Sequence, residues 1–412
     1  MNMKLNVAVA AALFAAASSA QAGITIPAGD WTLDIGGVVN AYYTHTSFSG
    51  DNFGAGPLGL GNGKADSSAN ITTGLLPNYL SVSGKTRQND LDVGFTISIN
   101  PGASTTQSGI QGANQENRQA FLTFGDASWG SVKLGKDLGI FASDAILNDM
   151  TLLGVGSGAG SLAGNTTTLG RIGSGFIYAD WKSQVAYTSP NWNGFQFTAG
   201  ITQAWDATAT PGLSSTSALA PNNPNAFSGK RGGGQTAYEA KASYEWTGDV
   251  AGKVWASAIS QKMEDLSTAT GGFTDERAYA WDLGATVKLA DFGLTGYYYD
   301  GKGIGQTLQF HDGFDANGKR RDSKGGYVQG TYTIPGVGTK LGLSWGQSKL
   351  QANSGEPFHE LTDSMWTVGA YHPLTKHLNL VAEYSQSKEK LDAATDLDAK
   401  AKTVSLGAIL FF

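Results

Sequence analysis

The sequence contains no cysteine, and that one absence removes disulfides, thiolate zinc sites and cysteine nucleophiles together. Charge is scarce as well: Asp, Glu, Lys and Arg make up 15% of the chain, against roughly a quarter in an ordinary soluble domain. Something other than water therefore covers much of the folded surface. The formal net charge is -6, and no Lys/Arg cluster offers the basic face that nucleic-acid binding requires. Proline is sparse at 11 residues while Trp, Tyr and Phe number 10, 15 and 18, which excludes a disordered chain. After residue 22 no uncharged apolar run reaches the roughly 18 to 20 residues that a membrane-crossing helix needs. Glycine is plentiful, with 57 among 412 residues, about twice the usual share.

Met1 to Ala22 joins one positive charge at Lys4, an apolar stretch from Leu5 to Ala17 and the small-residue end Ala20-Gln21-Ala22. These are the parts of a secretory signal peptide, so residues 1–22 are expected to be removed and residues 23–412 to fold as one domain.

The rest alternates with period two. Tyr279, Trp281, Leu283, Ala285, Val287 and Leu289 are apolar, and the positions between them are small or polar; Leu91 to Ile99, Tyr238 to Trp246 and Val404 to Phe412 repeat the pattern. Aromatic residues crowd the apolar face near the ends of the runs, as in a lipid-facing band bounded by interfacial girdles. Strands are predicted to start near Trp31, Asn78, Leu91, Asn117, Ser131, Ser183, Phe195, Thr236, Lys253, Arg277, Leu294, Lys324, Lys340, Asp363, Leu378 and Lys400. Short connections alternate with long ones. An even number of strands with one short-turn rim and one long-loop rim predicts an all-β fold, a 16-stranded antiparallel transmembrane β-barrel closed so that no edge meets lipid.

One connection departs from the pattern. Asp137 to Lys182 carries Ile140, Phe141, Ile146 and Leu147, which a purely solvated loop would not. The segment is expected to fold inward against its own barrel wall, anchored by these four side chains, with one helical turn at Ala145 to Leu147.

Arg118-Gln119-Ala120-Phe121, Trp129-Gly130-Ser131-Val132-Lys133-Leu134-Gly135-Lys136-Asp137, Ser143-Asp144-Ala145 and Asn148-Asp149-Met150 resemble the fourth strand, fifth strand and third loop of the trimeric general diffusion porins of the Gram-negative outer membrane. The resemblance is strongest over residues 117–150. It implies a multi-pass outer-membrane protein, a homotrimer with a water-filled channel for small hydrophilic solutes and ions, whose third loop narrows the pore. It also implies loop carboxylates facing basic wall side chains. Asp144 and Asp149 match the loop carboxylates, Arg118 matches a wall arginine, and Lys136 stands where the family usually has Arg. Lys133, Lys85 and Arg87 are further candidate wall cations. Leu152-Leu153-Gly154-Val155 replaces a stretch that in the family often holds another carboxylate, so strong cation selectivity is not implied. Phe412 matches the C-terminal signal read by the barrel-assembly machinery. The other partners implied are the lipid bilayer and lipopolysaccharide, with no cofactor, no metal and no nucleic acid.

Two other functions use similar sequences. A substrate-selective channel, for a sugar or an organic acid, would differ only in its lining; Tyr42 and Tyr43, or Tyr297, Tyr298 and Tyr299, are candidate sugar-contacting residues. A barrel enzyme would need a catalytic constellation. His359-Glu360 lacks the second histidine of a zinc-protease helix, His372 and His377 flank a short turn, and no Gly-x-Ser-x-Gly elbow is expected at a strand-to-helix turn.

Overall fold

The computed structural model describes residues 23–51, 53, 60, 66–104, 115–160, 167–208, 234–268 and 270–412. The expected signal peptide, residues 1–22, lies outside the described residues.

Sixteen strand positions form one closed antiparallel barrel among the described residues. In order they are Trp31–Gly50, a second strand in two pieces, Ser67–Thr72 and Tyr79–Gln88, Leu91–Pro101, a fourth in the pieces Gln115–Glu116 and Ala120–Asp126, Gly130–Leu138, Trp181–Thr188, Phe195–Thr202, Ala237–Trp246, Val250–Ser267, Phe273–Leu289, Phe292–Lys302, Asp322–Thr333, Lys340–Gln351, Phe358–Pro373, Leu378–Ala393 and Leu397–Phe411. Each pairs with the next, and the last pairs with the first from Ala399↔Gly50 to Phe411↔Val38. The seam ends where Phe412 N donates to Gly37 O at 3.1 Å and Phe412 O accepts from Gly37 N at 2.8 Å.

Period two produces the two faces. In the tenth strand Tyr279, Trp281 and Leu283 are exposed outward while Ala278, Ala280 and Asp282 are buried toward the lumen. The short turns follow from local chemistry: Asn89 and Asp90, both at positive φ, join Gln88 to its partner Leu91 as a two-residue hairpin turn.

Three features were not foreseen. An extra strand, Ile24–Ala28, pairs with Trp31 to Ile35 and covers the edge that the first strand would otherwise leave open beyond Phe411. The second strand is broken at residues 73–78, where Gly74 lets the third loop approach so closely that a Cβ there would lie 2.3 Å from Gly154 O. The connection from the eleventh to the twelfth strand also folds inward, burying Ile304, Phe310 and Phe314 completely or nearly so.

Candidate functional site: the lumen and its inward loop

The third loop leaves the fifth strand at Leu138 and is bound to the wall at once. Glu239 Oε2, on the eighth strand, accepts from the backbone N–H of Ile140 at 2.8 Å and of Phe141 at 2.9 Å. Its Oε1 accepts from Lys182 Nζ at 2.6 Å and Thr202 Oγ1 at 2.8 Å. Lys182 and Glu239 are completely withdrawn from solvent, so each charge is tolerable only because the other is there. Lys182 also donates to Gln309 on the second inward loop at 3.0 Å.

The loop then forms a short helix, α1, Ser143–Asn148, followed by a 3-10 turn, Met150–Leu153. This extends the single turn expected at Ala145 to Leu147. Asp144 lies 2.6 Å from Lys253 Nζ and 3.1 Å from Lys241 Nζ, both on the wall. Burial alone would raise its pKa; the two lysines outweigh that and hold it at about 2. Tyr327 OH donates to Ala145 O at 2.8 Å, and Gln329 bridges Asn148 O at 2.6 Å and Met150 N at 2.9 Å.

Asp149 is the N-cap of the 3-10 turn, accepting from Thr151 N at 3.1 Å and Thr151 Oγ1 at 2.6 Å. Arg171, from the returning part of the loop, stands 3.9 Å away. Burial pushes the Asp149 pKa up and the Arg171 pKa down, each opposed by the other charge. Arg171 ties this cap to the wall through Met365 O at 2.9 Å and Ser344 Oγ.

The far end of the segment is held as the near end is. Glu383 Oε2, on the fifteenth strand, accepts from Val155 N at 2.8 Å and Gly156 N at 2.9 Å, and Tyr371 OH donates to its Oε1 at 2.6 Å. Tyr42 OH reaches Leu153 O at 2.9 Å. The expected anchors Ile140, Phe141, Ile146 and Leu147 are all buried, but the segment is also bound along its length by wall side chains that the sequence analysis had not assigned. Glu239 stood in the polar half of an alternating strand, which was the only signal available for it.

A cavity of about 40 Å3 lies between the other face of the loop and the wall of the second to fourth strands. Ile146, Leu147 and Leu152 line it from the loop, and Leu75, Tyr79 and Arg118 line it from the wall side. Arg118 is buried, 2.8 Å from Glu116 and over the Trp181 ring at 5.7 Å. Lys133 shares the lumen side, paired with Asp137 and 4.8 Å from the Phe121 ring centroid.

Three other expected wall cations are elsewhere. Lys85 pairs with Asp34 at 3.8 Å, and Arg87 pairs with Asp92 and Asp126 at 2.9 Å each, beside the short turns and away from the third loop. Lys136 pairs in register with exposed Ala120 on the outer face and donates to Asn117 O at 2.8 Å. The reason is parity: an odd step along the fifth strand from Lys133 reverses the side-chain direction. The candidate sugar-contacting aromatics also divide by parity. Tyr43 and Tyr298 face outward, while Tyr42, Tyr297 and Tyr299 are buried in the interior.

The family model described as Gram-negative porin matches residues 7–392. Among curated proteins no sequence matches. Among solved structures the chain is similar to the outer-membrane channel DcaP of Acinetobacter baumannii, with 17% identity, 95% of this chain and 100% of that chain covered, and a TM-score of 0.66. It is also similar to OmpF of Salmonella typhi in complex with daunomycin, at 15% identity, 93% and 100% coverage and a TM-score of 0.58. The outer-membrane protein OmpT of Vibrio cholerae gives 15% identity, 94% and 100% coverage and 0.54. The chain belongs to the Gram-negative porin family and is a multi-pass outer-membrane β-barrel channel.

Proposed function

We propose that this channel passes small hydrophilic solutes and ions by passive diffusion, as a homotrimer exported by the signal peptide at residues 1–22, with residues 23–412 as the barrel and no catalytic step. The observation that carries the reading is the paired clasp. Glu239 and Glu383, seven strands apart in a ring of sixteen, each hold two consecutive loop amides, which stretches the third loop across the lumen. Solutes then pass between its apolar face and the wall bearing Arg118 and Lys133. Fixed charge on that wall biases ions, and the narrow gap makes large apolar solutes shed ordered water. Asp144 and Asp149, bound to Lys241, Lys253 and Thr151, fix the loop's position in this reading. Phe412 at the seam serves the barrel-assembly machinery as its recognition signal.

Planar-bilayer recording of the refolded chain in a salt gradient tests the proposal. Stepwise ohmic conductance is expected, and a correctly folded protein that produces no steps would overturn it. The apolar lining beside Arg118 favours one second reading, a channel selective for small organic acids. Concentration-dependent block of the ionic current by such an acid, absent with a neutral sugar of equal size, would favour it.

A further inference from the structure

The second inward loop, residues 303–321, carries a side chain whose contacts lead to the wall cation Arg118. Gln309 is buried with both ends of its amide engaged. Its Oε1 accepts from Lys182 Nζ at 3.0 Å, and its Nε2 donates to Tyr178 O at 3.2 Å and Ala179 O at 3.0 Å. The orientation is forced. An ammonium only donates and a carbonyl only accepts, so turning the amide over would break all three bonds. The same loop also takes the N–H of Tyr178, which donates to Thr307 O at 2.9 Å. Both backbone polar groups of Tyr178 are therefore bonded to the second inward loop.

That loop is fixed in turn to its surroundings. Arg321, fully buried, donates to Glu356 Oε2 on the next long connection at 3.0 Å and to Asp312 O at 2.9 Å. Gln306 Nε2 donates to Ser348 O on the thirteenth strand at 3.2 Å. Gln309 thus hangs from an anchored base. What Tyr178 meets at its other end is Arg118, whose Nη1 donates to the Tyr178 hydroxyl at 3.4 Å. Trp181 Nε1 donates to the same oxygen at 2.8 Å, and the Arg118 guanidinium lies over the Trp181 ring. Tyr178, Trp181 and Arg118 line one cavity beside the third loop.

We propose that Gln309 is a positioning residue for Arg118. By holding the backbone at Tyr178 and Ala179 it keeps the guanidinium on the Tyr178–Trp181 pair, so the second inward loop sets the ion preference of the channel through a side chain it does not itself carry. The inference rests on the reading that solutes pass beside Arg118. In Gln309→Met the side chain keeps its length and Lys182 keeps Glu239 at 2.6 Å, but two buried carbonyls lose their donor. Tyr178 then shifts, and Arg118 falls back on Glu116, whose charge offsets its own.

The test is the reversal potential of refolded, heat-modifiable protein in planar bilayers across a potassium chloride gradient, for wild type, Gln309→Met, Arg118→Gln and the double variant. Gln309→Met should shift the potential toward cations, by less than Arg118→Gln does, and should add nothing once Arg118 is gone. A change that reached the pore by another route would shift both backgrounds alike. Should Gln309→Met fold poorly, Gln309→Asn, which keeps the amide but draws it back by one methylene, is read in its place by the same criteria. If Arg118→Gln shifts the potential and the folded Gln309 variant does not, or shifts it equally with and without Arg118, the inference is overturned and the pore reading stands. No shift in Arg118→Gln would overturn both.

Discussion

Replacing Glu239 with Ala removes the acceptor that starts the third loop on its path. Lys182 is then left wholly buried against neutral groups, the Gln309 oxygen at 3.0 Å and the Trp205 ring centroid at 4.9 Å. Removing one partner of a buried ion pair costs about 3 to 5 kcal/mol. The N–H groups of Ile140 and Phe141 lose a charged acceptor as well, worth about 1.5 to 3 kcal/mol each, but these losses overlap and do not add. Taking about 4 kcal/mol as the net, the ratio of docked to undocked loop start falls about a thousandfold. The barrel itself should survive, because its strands are joined by continuous backbone ladders that do not involve Glu239's side chain. Single-channel recording of a heat-modifiable, correctly folded variant should therefore show higher and noisier conductance. Glu239→Ala/Lys182→Met should recover much of the wild-type behaviour, since no uncompensated charge remains. An unchanged conductance and noise in Glu239→Ala, or a double variant no quieter than the single one, would refute the clasp.

Other consequences follow from the same geometry. Phe141→Ser/Leu147→Ser should cost about 3 kcal/mol or more in loop packing and admit a solute that the wild type excludes, measured by liposome swelling. Arg118→Gln should move the reversal potential toward cations by removing a wall charge beside the gap, whereas Asp149→Asn should weaken a cap by about 1 kcal/mol and change loop noise more than selectivity. Asp144 has a folded pKa depressed to about 2, so its contribution is complete above the unfolded value and lost as pH falls through the folded one. The difference in thermal stability between wild type and Asp144→Asn should thus hold steady from about pH 7 to about pH 5 and vanish near pH 2. Deleting Phe411 and Phe412 removes the Gly37 hydrogen bonds at the seam and should sharply reduce the folded, heat-modifiable species; wild-type amounts would rule out a role in closure.

What the sequence determined by itself was the wall. Side-chain direction in a strand depends only on parity, so Tyr279, Trp281 and Leu283 declared a lipid face without knowledge of any neighbour, and the strand starts at Trp31, Leu91, Phe195, Lys340 and Leu378 are those observed. The apolar content of Ile140 to Leu147 likewise showed that the third loop had to be buried. Lys136 shows how local this logic is, since counting from Lys133 already sends it outward.

The tertiary structure alone decided the site. Glu239 and Lys182 are 57 residues apart, and Glu383 meets Val155 across 228; no spacing rule connects such pairs, because the ring of strands brings them together. Asp144 and Asp149 looked equivalent in the sequence, two carboxylates on one loop. In the fold one faces two wall lysines and the other caps a turn beside Arg171. A carboxylate's role depends on which donors surround it after burial, and those donors come from strands that only closure of the barrel places there.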